Sequence, residues 1–200
     1  SNTTYSPIGW RRVGVSDSST GYTINGETSG DRSGYSVAMD GNGTIIAIGA
    51  PHNDGGGSDS GHVRVYQHRE YTQNDEDNNI YHYGSVEQGV TNLKPLIITG
   101  DNTIAPVVGY SYWTQLGWDI NGKTVNNHGH LGRSIAMSND GTRIAIGCID
   151  IRGPVNDSIG YVRVYDYRVY TQNDKNKDTY HYRTSSSIYR PLISTPNTST

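Results

Sequence analysis

Gly132-Arg133-Ser134-Ile135-Ala136-Met137-Ser138-Asn139-Asp140-Gly141-Thr142-Arg143-Ile144-Ala145-Ile146-Gly147 reads as two short apolar strands joined by a tight turn. Asn139-Asp140-Gly141 supplies the turn, because Asn, Asp and Gly tolerate positive φ at little cost. Ile144 and Ile146 point to one face and Ala145 to the other, as a period of two requires. The same unit stands earlier as Gly34-Tyr35-Ser36-Val37-Ala38-Met39-Asp40-Gly41-Asn42-Gly43-Thr44-Ile45-Ile46-Ala47-Ile48-Gly49, with ten of the sixteen positions identical. An internal repeat of this kind governs the reading of the whole chain.

The repetition extends outward from both copies. Gly61-His62-Val63-Arg64-Val65-Tyr66 returns as Gly160-Tyr161-Val162-Arg163-Val164-Tyr165, a third strand with Val63 and Val65 facing inward. Tyr71-Thr72-Gln73-Asn74-Asp75 returns at Tyr170–Asp174, Tyr81-His82-Tyr83 at Tyr180–Tyr182, and Pro95-Leu96-Ile97 at Pro191–Ile193. The offsets of 98, 99 and 96 residues place the length differences in loops. Two repeats follow, 1–109 and 110–200. Long Tyr-rich hairpins are predicted over 67–94 and 166–190. Tyr5-Ser6-Pro7-Ile8-Gly9-Trp10 parallels Trp113-Thr114-Gln115-Leu116-Gly117-Trp118, a piece that the second copy lacks after Pro191-Leu192-Ile193. The N-terminal strand is thus expected either to complete the last repeat or to complete a neighbouring subunit, head to tail, through residues 1–10 and 191–200.

Composition agrees with an all-β chain. Gly numbers 25, Tyr 16 and Phe none, and apolar residues make up 32%. Periodic Gly, β-branched residues and Tyr suit many short strands with small-residue packing. No ten-residue window carries the helical i, i+3, i+4, i+7 pattern, so no helix is expected. The formal net charge of −3 argues against nucleic acid and anionic membranes as partners. No 18-residue apolar run exists to span a membrane. The start at Ser1, without Met or signal peptide, reads as a mature or excised segment. Cys148 is the single cysteine and reads as a small buried hydrophobe. Asn2, Asn42, Asn156 and Asn197 each begin a glycosylation triplet, which points to an extracellular or cell-surface protein.

The strand pairs and the Gly49-Ala50-Pro51 after the first of them resemble FG-GAP repeats, the unit of integrin-α-type β-propellers. Gly34, Asp40, Gly43, Gly49, Ala50 and Pro51 carry the resemblance in the first copy, and Gly132, Asp140, Gly141 and Gly147 in the second. Ser33 and Leu131 stand where the family has an aromatic, and Cys148-Ile149 replaces Ala-Pro. The resemblance covers about half the chain and implies tandem, propeller-like antiparallel sheets in the manner of extracellular variants of the repeat. A closed propeller needs about four to eight blades. Two units could form two elaborate blades, four small ones or a stack of sheets; two ordinary blades could not close a ring alone, which suggests part of a longer array or a self-assembling subunit.

The resemblance also implies a Ca²⁺ loop. Asp40 with Asn42, and Asn139 with Asp140, offer one carboxylate and one amide each, short of the six to eight oxygens that Ca²⁺ takes. They read first as turns and second as a Ca²⁺ site, as does the loop from Asn53 to Asp59. His128 and His130 show no carboxylate or Cys neighbour in sequence and read as solvated loop residues; His82 and His181 read as hairpin residues. No nucleophile elbow, phosphate loop or paired-carboxylate signature is present, so no catalysis and no required cofactor are expected. Tyr71, Tyr81, Tyr83, Tyr170, Tyr180 and Tyr182 suit cross-strand pairs, an interface between copies, or stacking on glycan rings. The expected function is a non-catalytic extracellular structural or adhesive protein that self-associates through its repeats into a filament or surface layer. The alternative is a monomeric propeller module for glycans or a protein ligand.

Overall fold

The computed structural model describes residues 13, 23–77, 97–98, 106–117, 119–122, 129–149, 160–167, 181–183 and 189–191. In chain order the elements are β1 (Ser36–Met39), β2 (Ile45–Ala50), β3 (His62–Glu70), α1 (Gln73–Asp77), β4 (Ile97–Ile98), β5 (Ser111–Gln115), β6 (Ile120–Asn121), β7 (Ser134–Met137), β8 (Arg143–Cys148), β9 (Tyr161–Asp166), β10 (His181–Arg183) and β11 (Tyr189–Pro191). The fold is all-β in antiparallel sheets, with one short helix among the described residues. The chain divides into two compact units, residues 1–24 with 69–114, and residues 25–68 with 115–200. Both repeat sheets fall in the second unit.

Each repeat is a three-stranded meander built on the same turn. In the first, Asp40 N donates to Ile45 O at 3.0 Å and Gly43 N to Asp40 O at 3.2 Å. In the second, Ser138 N donates to Arg143 O at 2.9 Å and Gly141 N to Ser138 O at 3.0 Å. Gly43 and Gly141 both sit at φ 72°, where a side chain would be strained. The registers coincide as well. Ser36, Ala38, Ala47, Gly49, Val63 and Val65 share one face of the first sheet, and Ser134, Ala136, Ala145, Gly147, Val162 and Val164 the same face of the second. This Ala/Val face is backed in both sheets by a second one. The backing face carries Val37, Met39, Ile46, Ile48, Arg64 and Tyr66 in the first repeat and Ile135, Met137, Ile144, Ile146, Arg163 and Tyr165 in the second.

The main core lies where the Ala/Val face of the first sheet packs on the backing face of the second. Ala47, Val63, Ile144, Ile146 and Cys148 are buried there with Leu131 and Ile120, and Val65, Ile135, Met137, Tyr161 and Tyr165 pack around them. Cys148 is 3% exposed, as expected of a small hydrophobe, and its thiol donates to Gly129 O. The sheets approach closely because both carry glycine at the crossing. A methyl added at Gly49 would run into the carbonyl of Gly132. Ser36 Oγ donates to that same carbonyl at 2.7 Å. The backing face of the first sheet is covered in part by other segments, which bury Ile48, His62, Arg64 and Tyr66. Arg64 and Tyr66 thus differ from the expectation that only Val63 and Val65 are inward.

In the other unit β4 pairs with β5, Ile97 opposite Thr114 and Ile98 opposite Trp113. Tyr71 and Tyr112 form a small core with Val108 and Tyr110. Residues 73–77 form α1 rather than an extended hairpin arm. Thr72 and Asp75 cap each other: Asp75 N donates to Thr72 Oγ1 at 3.3 Å, and Thr72 N to Asp75 Oδ2 at 2.8 Å. Arg69 grips the same carboxylate with two nitrogens, at 2.7 and 3.1 Å. The hydrogen bond from Arg69 is the main reason that the Asp75 carboxyl is held down to about 2. β10 pairs with β11, Tyr182 opposite Arg190, so Tyr182 belongs to a hairpin with residues 189–191. Residues 1–10 and the rest of the two long hairpins lie outside the described residues.

Gly49→Ala is expected to cost about 1–3 kcal/mol, as overpacking of a tight contact does. Gly147→Ala, whose methyl meets only the flexible Ser134 side chain and the Ser134 carbonyl at van der Waals distance, should cost clearly less. Chemical denaturation of the two variants checks this.

Candidate functional site

The two turns, which read second as a Ca²⁺ site, are brought side by side. Gly41 N donates to Asn139 O at 2.8 Å, so like positions of the two repeats meet. Asp40 is buried and spends its oxygens within its own turn. Thr44 N and Ile45 N donate to Oδ1 at 2.7 and 2.9 Å, and Thr44 Oγ1 donates to Oδ2 at 2.9 Å. Burial pushes the Asp40 carboxyl up, but the hydrogen bonds from Ile45 and Thr44 together outweigh it and bring it below its ordinary value. In the second turn two residues share this work. Arg143 N donates to Ser138 Oγ at 2.9 Å, and Ser138 Oγ donates onward to Asp140 Oδ1 at 2.6 Å. Thr142 N and Oγ1 reach the same oxygen at 3.1 and 2.9 Å. The Ser138 hydrogen bond, then those of Thr142, lower the Asp140 carboxyl to about 2. Asn42 and Asn139 are exposed on these turns.

Two polar clusters were not visible in the sequence. His52 Nδ1 lies 2.9 Å from Asp59 Oδ1, and the His52 and His130 rings are 4.5 Å apart between centroids. His130 is not a solvated loop residue: it is 5% exposed, and its Nδ1 lies 2.9 Å from Pro51 O. Asp59 and His130 both adopt positive φ, 47° and 44°. The loop 53–60 that carries Asp59 is tied inward by Gly55 N to Asn53 Oδ1 at 2.8 Å and Asp59 N to Asp54 Oδ1 at 2.8 Å. The second cluster joins Glu27, His62 and Asp119 from three separate segments.

Among the described residues, exposed apolar side chains lie on the sheet faces. Tyr71 is 5% exposed and serves packing, so it does not line a surface. Tyr81, Tyr83, Tyr170 and Tyr180 lie outside the described residues, as do Asn2, Asn156 and Asn197. Four of the exposed apolar side chains are equivalents of residues buried between the two repeats. Val162 and Val164, on the Ala/Val face of the second sheet, are 66% and 62% exposed; their first-repeat equivalents Val63 and Val65 are in the core. Val37 and Met39, on the backing face of the first sheet, are 59% and 49% exposed; their equivalents Ile135 and Met137 pack on the core. Each face that is used once inside the chain is thus exposed in part at its other occurrence, at Val162 and Val164 on one and at Val37 and Met39 on the other.

Residues 25–66 match the FG-GAP repeat, a stretch that holds β1, β2 and the first half of β3. The first repeat is therefore of the FG-GAP type, and the second shares its strand registers. Comparison with characterised proteins and with solved structures returned no match. Among the described residues no helix is long and apolar enough to cross a membrane.

A carboxyl held lower in the folded than in the unfolded chain adds stability above its ordinary value of 3.8, and that stability disappears as pH falls toward 2. Thermal melts between pH 5 and pH 2 should therefore show a falling Tm, and Asp140→Asn should reduce the fall within that window.

Proposed function

We propose that the chain is a non-catalytic, extracellular structural or adhesive repeat protein whose copies stack head to tail through their sheet faces. The observation that carries this reading is the open pair of faces, Val162 and Val164 at one end and Val37 and Met39 at the other. The internal repeat supports this kind of union, because faces of the same two kinds are joined between β1–β3 and β7–β9; on the first sheet's backing face the part left for it is the β1 edge, with Ile48, Arg64 and Tyr66 already covered. The occupant of each open face is a second copy of this chain. Burying a Val or Met side chain is worth roughly 1.5–3 kcal/mol, so four such groups left in water favour a partner that covers them.

The contact is heterologous: one face meets a different face. Repetition of such a contact grows a row unless the rotation closes it into a ring. The polar seam of the internal contact has its counterparts at the open ends. Ser134 and Gly147 stand ready at one end as Ser36 and Gly49 do inside, and Gly34 at the other end corresponds to Gly132. Among the described residues, a side chain at Gly34 would meet nothing within 4 Å, and the three atoms nearest one at Gly147 all belong to Ser134. The glycosylation triplets and the FG-GAP-type repeat support an extracellular setting, and the lack of a catalytic motif supports a structural role. Residues 1–10 and 191–200 would then reinforce the joint that the faces form.

A mixing experiment tests this. Light scattering and negative-stain microscopy of the wild-type chain should show growing assemblies. Val162→Glu with Val164→Glu should give monomers, and so should Val37→Glu with Met39→Glu. An equimolar mixture of the two double variants retains one sound face of each kind and should stop at the heterodimer. A wild-type chain that stays monomeric overturns the reading, and so does a mixture that remains monomeric.

A further inference from the structure

His62 is 1% exposed, and its Nδ1 is buried without a hydrogen-bond partner. A buried nitrogen left in this way requires an explanation such as a bound water or ion. Its surroundings favour a cation. Glu27 Oε2 lies 3.7 Å from Nδ1. One ligand atom each from Glu27, His62 and Asp119 lies within 4.8 Å of the other two. An equilateral triangle of that side has its centre about 2.8 Å from each corner, and Zn–N and Zn–O bonds are about 2.0–2.2 Å, so a shift of at most about 0.6–0.8 Å per ligand closes the set.

Charge points the same way. The charges that act most strongly on His62 are the carboxylates of Asp119, Glu27 and Asp31, against the guanidinium of Arg64. The imidazole thus lies among three carboxylates. Arg64 is committed elsewhere, donating to Asn25 O at 2.7 Å and lying over the Tyr66 ring at 5.7 Å. The carboxylates are oriented from behind, as metal ligands usually are. Gln115 Nε2 donates to Asp119 Oδ1 at 2.9 Å, and Asn53 Nδ2 donates to Glu27 Oε2 at 3.4 Å and to Asp31 Oδ2 at 2.7 Å. β3 holds His62 rigidly, paired with Ala50 of β2 and Asn121 of β6.

We infer that Glu27, His62 and Asp119 form a binding site for a divalent transition-metal ion of the Zn²⁺ kind. One imidazole with two carboxylates suits Zn²⁺ better than Ca²⁺, which takes oxygen ligands alone. The ion would tie residues 25–31, β3 and the segment before β6 into one unit, a structural role. The site is separate from the turn at Asp40, and His62 lies on the covered part of the first sheet's backing face, away from the exposed Val37 and Met39.

The test is Zn²⁺ titration of the full, tag-free chain by calorimetry, with thermal melts and X-ray absorption on the loaded protein. One Zn²⁺ per chain is expected at this site, with a raised Tm and a shell of one imidazole nitrogen and oxygens. Glu27→Gln and Asp119→Asn, which keep side-chain shape, should each weaken binding at least tenfold, while His52→Ala should retain it. His52→Ala guards against the neighbouring cluster of His52, Asp59 and His130. Binding that His52→Ala abolishes and Glu27→Gln leaves intact overturns the inference. Absence of binding overturns it too, and assigns the His62 nitrogen to a buried water.

Discussion

The structure depends on one close approach, that of β2 in the first sheet to the start of β7 in the second. Gly49 and Gly132 let two backbones come together where any side chain would collide with a carbonyl. Everything apolar in the main core gathers around that point: Ala47 and Val63 from one sheet, Ile144, Ile146 and Cys148 from the other. Small residues on the Ala/Val face are thus not a sign of a weak core. They are the condition for a dense one, since interdigitation needs backbone proximity as much as bulk. The contacts beside it join like to like: Gly41 to Asn139, and the guanidinium of Arg133 over the Tyr35 ring at 5.4 Å, positions one repeat apart.

Identical local sequence has different fates in the two copies. Val63-Arg64-Val65 and Val162-Arg163-Val164 are the same tripeptide in the same register. The first pair of valines packs in the core and the second faces water. Nothing in the strand decides this. The place of each sheet in the stack does, and a face acquires its burial only from what is set against it.

What the sequence disclosed was what is local. The strand–turn–strand units, their faces and the third strands were all legible, because a period of two and a Gly-bearing turn are written within a dozen residues. The burial of Cys148 was legible for the same reason. The helix at 73–77 was missed, since one turn is too short for a helical period, although Thr72-Gln73-Asn74-Asp75 spelled its cap. The polar clusters were not legible. His130 meets His52 and Asp59 across some seventy residues, with two backbones at positive φ. Glu27, His62 and Asp119 come from three segments with no common spacing. Asp40 is the opposite case: it reads first as a turn residue, a local role, and its carboxylate accepts three hydrogen bonds from within its own turn.

The sequence distance across the close approach also sets an order of assembly. Ser36 and Gly132 are 96 positions apart, whereas each turn closes within five. Hairpins of this size form in about 1–10 μs, while closing a long loop must first overcome chain entropy. Each repeat can therefore take up its local pairing as a separate event during synthesis, and docking waits until the second has emerged. In that interval the Ala/Val face of the first repeat is bare, and any other chain at the same stage offers it the same invitation. A repeat protein of this build has its native contact and its domain-swapped contact in one and the same surface, so local concentration decides between them.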